Sequence, residues 1–132
     1  MATRILIVED NSANLELVRY LLEFHGYATL AAGDGEDAVR IAKAERPDLI
    51  LCDLQIPVMD GYEVLRELRG SAEFAAIPII AVTALSMPGD RDAALAAGFD
   101  TYISKPIDPE TFVQQVESFL PPTMRASRTT RR

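Results

Sequence analysis

Cysteine is nearly absent. Cys52 stands alone, so no internal disulfide can staple the chain and its stability has to come from a packed core. A lone thiol fits a reducing compartment. No stretch approaches the roughly 18 consecutive apolar residues that a membrane-crossing helix requires. The opening MATRILIVED meets acid before a signal-peptide core can form, so retention in the cytoplasm is expected. Neither G-x-x-x-x-G-K nor G-x-G-x-x-G follows the first apolar run, which removes the usual phosphate cradles of nucleotide and dinucleotide binders. Internal repeats and linkers are missing too.

What remains is 132 residues, 48% hydrophobic and 25% charged, the size and balance of one soluble domain with one core. The net charge of −7 hides an asymmetry. The last ten residues hold Arg125, Arg128, Arg131 and Arg132 and no acid, leaving about −11 on residues 1–122. A body that acidic repels nucleic acid, so direct contact with it is not expected. From about Pro121 the chain is Pro, Thr, Ser and Arg without periodicity. The expected organisation is one domain over 1–121 and a disordered basic tail over 122–132.

Apolar runs of strand length alternate with amphipathic segments. Ile5–Val8, Ala28–Ala31, Leu49–Cys52, Ile79–Val82 and Tyr102–Ile103 are the expected strands. The first, third and fourth are continuously apolar, as parallel strands covered on both faces must be. A first helix is expected after a cap at Asn11 or Ser12, with Leu15, Val18, Leu21 and Leu22 inward and Gly26 as its stop. Ala38, Val39, Ile41 and Ala42 mark a second that ends before Pro47, and Val64, Leu65 and Leu68 a third that ends at Gly70. Ala93 to Ala97, before Gly98, mark a fourth. Pro109 suits the first turn of a fifth, which carries Phe112, Val113, Val116, Phe119 and Leu120. Strands and helices in alternation call for right-handed crossovers, which predicts an α/β doubly wound sandwich around a parallel sheet.

Ligands of such sheets gather beyond the carboxyl ends of the strands. The polar residues directly after the apolar runs are Glu9 and Asp10, Asp53, Thr83, and Lys105. A single acid at a strand end is ordinarily a solvated loop residue or a helix cap. Three carboxylates, a hydroxyl and an ammonium on one rim have a chemistry of their own. Crowded carboxylates repel, and invite a raised pKa or a cation. Oxygen ligands select a hard ion, and Mg²⁺ takes one or two carboxylates while leaving room for water and a phosphate oxygen. Beside that ion Asp53 stays ionised and can attack phosphorus. Phosphoryl transfer then needs positive charge on the equatorial oxygens, which Lys105 supplies, and a hydrogen bond, which Thr83 supplies.

ILIVEDN at 5–11, DLILCDLQIPVMDG at 48–61, PIIAVTA at 78–84 and YISKP at 102–106 together resemble the receiver domains of bacterial response regulators, the CheY-like family, over roughly residues 3–120. The resemblance implies a flavodoxin-like five-stranded parallel sheet of order 2-1-3-4-5 with five helices in an α/β/α sandwich. It implies that Asp53 is the phosphoacceptor of a two-component phosphorelay, and that Mg²⁺ is held by the side chains of Asp10 and Asp53 and the backbone carbonyl of Gln55, with Glu9 on metal-bound water. Thr83 and Lys105 would contact the phosphoryl oxygens, and Tyr102 would swing inward on activation. Pro57 and Gly61 match the turn after the acceptor, and the bond before Pro106 would be cis. The partners implied are a sensor histidine kinase or histidine phosphotransfer protein upstream, and a protein target on the face of the fourth helix, fifth strand and fifth helix. VTALSMPGD at 82–90 and YISKPID at 102–108 are most similar to the stand-alone DivK type; a receiver from a hybrid histidine kinase is the alternative. Gln55 and Leu85 would tune dephosphorylation.

Other residues have plainer readings. Cys52 inside its apolar run reads as packing, and His25 before a helix-stopping glycine as a cap-region residue rather than a phosphate carrier. Asp34, Glu36 and Asp60 read as turn and cap residues. The small-sided fourth helix suits close packing on the sheet, with a partner surface or a weak homodimer as the alternative. Two rival functions are weighed. Haloacid-dehalogenase-type phosphatases resemble D-x-D, but the second position here is Gln55, which cannot exchange a proton near neutrality. A flavin binder would share the sheet but would set its phosphate against Glu9 and Asp10. The expectation is a phosphorylation switch, not an enzyme with turnover.

Overall fold

The continuous apolar runs become the inner strands. The structure, a computed structural model, describes residues 2–84 and 87–125; Leu85 and the arginines at 128, 131 and 132 lie outside the described residues. The strands are β1 (Arg4–Val8), β2 (Ala28–Ala32), β3 (Leu49–Cys52), β4 (Ile79–Thr83) and β5 (Thr101–Ser104). All pair in parallel, in the order β2-β1-β3-β4-β5. Alternate side chains of a strand point to opposite faces. Leu6, Val8, Ile50, Cys52, Ile79 and Ala81 therefore pack on one side, while Ile5, Ile7, Leu49, Leu51, Ile80 and Val82 pack on the other. Both faces are dry, which is why these strands show no polar alternation.

The helices close the two layers. α1 (Ser12–Phe24) and α5 (Phe112–Glu117) cover one face through Val18, Leu21, Leu22, Phe112, Val113 and Val116. α2 (Gly35–Glu45), α3 (Gly61–Arg69) and α4 (Asp90–Ala97) cover the other through Ala38, Ala42, Val64, Leu65, Leu68 and Ala94. Side chains at the predicted caps satisfy the exposed helix amides: Asn11 accepts from Asn14 N, Asp34 from Asp37 N, and Asp60 and Glu63 form a reciprocal capping box. α4 is held differently at its two ends. It follows Gly89, whose φ is 94°, and buries only Ala94. Below its far end Arg69 fans out, donating to the carbonyls of Phe74 (2.8 Å) and Ile77 (2.7 Å) and to Asp100 Oδ2 (2.9 Å). The same Asp100 oxygen accepts from Ile79 N (2.8 Å).

Two expectations need correction. α5 begins at Phe112, not Pro109, because Asp108 organises the turn first: its Oδ1 accepts from Glu110 N (3.0 Å) and its carbonyl from the amides of Thr111 (3.2 Å) and Phe112 (2.9 Å). The stretch expected to be tail from residue 122 opens with a 3₁₀ turn over Pro122–Met124. Thr3 Oγ1 donates to the Met124 carbonyl (2.8 Å) and Arg125 Nε to that of Leu120 (2.9 Å), tying this turn to the start of the chain and the end of α5. No helix among the described residues is long and apolar enough to cross a membrane.

The loop between β3 and α3 rests on α2 at Gly35. A Cβ there would lie 2.1 Å from the Met59 carbonyl oxygen. Gly35→Ala gains at most about 1 kcal/mol of helix propensity, whereas a clash with backbone costs about 2–3 kcal/mol. A lowered urea midpoint is expected, and an unchanged or raised one would show that the loop yields.

Candidate functional site

Register brings the polar strand ends together. Val8 and Cys52 are partners across β1 and β3, and Thr83 and Ser104 across β4 and β5. The residues that follow, Glu9 and Asp10, Asp53, and Lys105, therefore emerge side by side at the carboxyl edge, with Thr83 closing β4. Two backbone bonds lock the alignment: Asp53 N donates to the Val8 carbonyl (3.0 Å) and Lys105 N to that of Thr83 (2.9 Å).

Glu9 and Asp53 are 5% and 6% exposed, and Thr83 is fully buried. Asp10 is exposed. Glu9, Asp10 and Asp53 each offer an oxygen within 4.8 Å of the others. The Lys105 ammonium lies between two of them, donating to Glu9 Oε1 (2.7 Å) and Asp53 Oδ2 (2.8 Å). The remaining oxygens are held by backbone: Asp53 Oδ1 accepts from Gln55 N (3.0 Å), and Glu9 Oε2 from Asn11 N (3.1 Å). Burial alone would lower the Lys105 pKa, but its hydrogen bonds to Asp53 and Glu9 outweigh that and raise it.

Among the expected site residues, Glu9, Asp10, Asp53 and Lys105 form one cluster, Thr83 ends the neighbouring strand, and Gln55 meets Asp53 through its amide. The Lys105–Pro106 bond is cis. Tyr102 is 8% exposed and lies with Ala94 and Phe99 in the core beneath α4. Its ring is thus already inward in this structure. The pairing of Lys105 with Glu9 was not foreseen; the signal was available, since a buried carboxylate requires a cation. Asp60 and Asp34 cap helices, and His25 ends α1, donating through Nδ1–H to the Leu21 carbonyl (2.9 Å). Cys52 is fully buried, and burial first, then the Asp53 carboxylate, pushes its thiol pKa up, which keeps it out of nucleophilic chemistry.

Three carboxylates face one ammonium here, so the donor set is oxygen-only and short of positive charge. That fits a hard divalent ion better than a soft one. Glu9, Asp10 and Asp53 are the residues that would hold it.

The family described as response regulator receiver domain matches residues 5–117. The polar-differentiation response regulator DivK of Brucella anthropi is 42% identical over 120 residues, covering 91% of this chain and 98% of that protein. The receiver domain of a sensor histidine kinase from Pseudomonas aeruginosa, solved with a magnesium ion coordinated in its active site cleft, is 37% identical with a TM-score of 0.83, covering 90% of this chain and 98% of that one. The chemotaxis response regulator CheY4 of Vibrio cholerae is 28% identical with a TM-score of 0.85, covering 91% and 100%.

Lys105 is the cation that the metal-free site relies on. Lys105→Met leaves Glu9 and Asp53 facing each other, and a loss of about 3 kcal/mol is expected in urea unfolding with chelator present, part of it recovered by millimolar Mg²⁺. A raised lysine pKa stabilises the fold at every pH below the ordinary value of 10.5. That contribution is lost as pH climbs through the raised value. The native protein should therefore lose the excess over Lys105→Met only above about pH 10.5; equal loss at pH 7 to 9 would contradict the assignment.

Proposed function

Because the chain belongs to the response regulator receiver domain family, a phosphoacceptor of two-component signalling, we propose that Asp53 is its acceptor residue and that the donor is a phosphohistidine on a sensor kinase or phosphotransfer protein. The observation that carries this is the Asp53 carboxylate itself: recessed, beside two further acids, and bonded through Oδ2 to Lys105.

Each residue has a distinct task in this reading. An Asp53 oxygen forms the new P–O bond while the P–N bond to the donor imidazole breaks, its electron pair staying on the ring nitrogen. Lys105 follows the charge from the carboxylate to the phosphoryl oxygens, and the Thr83 hydroxyl donates to another of them. Glu9, Asp10 and Asp53 would hold Mg²⁺, with Gln55 adding its backbone carbonyl; the ion, when bound, neutralises charge on the carboxylates and the transferred group. Magnesium in the cleft of the similar Pseudomonas receiver supports this choice. Thr83 drawn toward the phosphoryl group would favour the buried Tyr102 and set the surface of α4, β5 and α5 for a downstream target. The chain serves as a switch, assisting only its own phosphorylation and dephosphorylation. The phosphatase reading falls with the family assignment.

Intact-mass measurement after acetyl phosphate and Mg²⁺ should show one added phosphoryl group on the native protein, and none on Asp53→Asn or with chelator present. A labelled Asp53→Asn protein would place the acceptor elsewhere. Thr83→Ala should still be labelled at Asp53, but the amide chemical-shift changes of α4 and β5 on phosphorylation should largely vanish. Unchanged shifts would remove the switch and leave the acceptor standing.

A further inference from the structure

The loop after Asp53 has a tip that the fold does not need in its present form. Gly61 N donates to the Leu54 carbonyl (3.1 Å) and closes the loop at its base. At the tip Met59 N donates to the Pro57 carbonyl (2.8 Å), and Val58 between them has a φ of 72°. This is a three-residue turn of the rare positive-φ kind. A β-branched residue tolerates that conformation worst. The shape of the turn is imposed from below. The Pro57 carbonyl also accepts from Gly35 N (3.2 Å), and Met59 lies directly on Gly35. Glycine or asparagine at position 58 would meet the same demand with less strain.

The valine methyls bring the interior nothing in return. Val58 is 74% exposed and belongs to neither core cluster. The side chain stands in solvent on the loop that begins at Asp53, at the carboxyl edge of the sheet. The Asp53 carboxylate is only 6% exposed, so any donor that brings phosphorus to bonding distance must press its surface onto the rim. The rim is apolar at a second point as well: Met87, which precedes α4 at the same edge, is 71% exposed.

We infer that Val58 is a specificity-determining contact for the protein phosphodonor, an apolar knob held outward by a strained turn and covered by the donor's own apolar surface during transfer. This rests on the reading of Asp53 as phosphoacceptor. A small donor such as acetyl phosphate reaches Asp53 without touching the knob, which separates the two claims.

The test uses the full chain with Val58→Asn, which relieves the turn and removes the methyls, and Val58→Thr, which keeps the β-branch and replaces one methyl by hydroxyl. The protein donor is chosen by autophosphorylating the purified histidine kinases of the source organism with labelled ATP and keeping the one that transfers fastest to the native chain. Val58→Asn should melt a few degrees higher, roughly in line with the relieved strain. It should be labelled by acetyl phosphate at the native rate, and accept from the kinase at least fivefold more slowly through a raised KM. Val58→Thr should be slowed less, without the gain in melting temperature. Native transfer rates in Val58→Asn, a lower melting temperature, a change in oligomeric mass in place of the KM effect, or no kinase that transfers to the native chain would each overturn the inference. Failure of acetyl phosphate to label the native protein would instead overturn the parent reading.

Discussion

One ammonium group holds the working end of this molecule together. Lys105 reaches from the end of β5 across the sheet to Glu9 after β1 and Asp53 after β3, so a single side chain spans three strands. Without it two buried carboxylates would face each other in a medium that screens poorly. The reactive arrangement and the solution to an electrostatic problem are therefore the same contact. The ammonium that holds the two acids close is the group that the proposed phosphoryl transfer would next engage.

The rest of the fold reads as support for that placement. Continuous apolar strands sandwiched between two helical layers allow little freedom of register, because β1, β3 and β4 are gripped on both faces. The parallel direction then puts every strand's carboxyl end on one edge. Four separated segments of sequence deliver their polar residues to a common point with no long-range design beyond apolar periodicity and helix stops.

Much of this was legible beforehand, for physical reasons that also explain what was not. The strand bounds follow from runs such as Leu49–Cys52, where nothing polar interrupts, and the helix starts follow from Asn11, Asp34 and Asp60, whose short side chains satisfy free amides. The rim residues were identifiable because parallel sheets present their ends together. The start of α5 was misplaced because Pro109 satisfies the helix rule while Asp108, one residue earlier, offers the backbone a competing turn. The 3₁₀ turn at Pro122–Met124 was missed because its support comes from Thr3, far away in sequence. The same holds for Val58: a positive φ on valine is imposed by tertiary contact with Gly35, and no local pattern announces it.

The unequal fastening of α4 has a mechanical meaning. Its lower end is pinned by Arg69 and Asp100, while its upper turn follows a glycine and is tied to the sheet by Arg91, whose Nη1 donates to the Tyr102 carbonyl (3.3 Å). In the proposed switch a push at the upper end would work against that one bond, with the Arg69 and Asp100 contacts as the fulcrum. Eight residues make a lever arm of about 12 Å, so the shift near Thr83 that the proposed switch calls for would reach the far surface of the helix as a tilt.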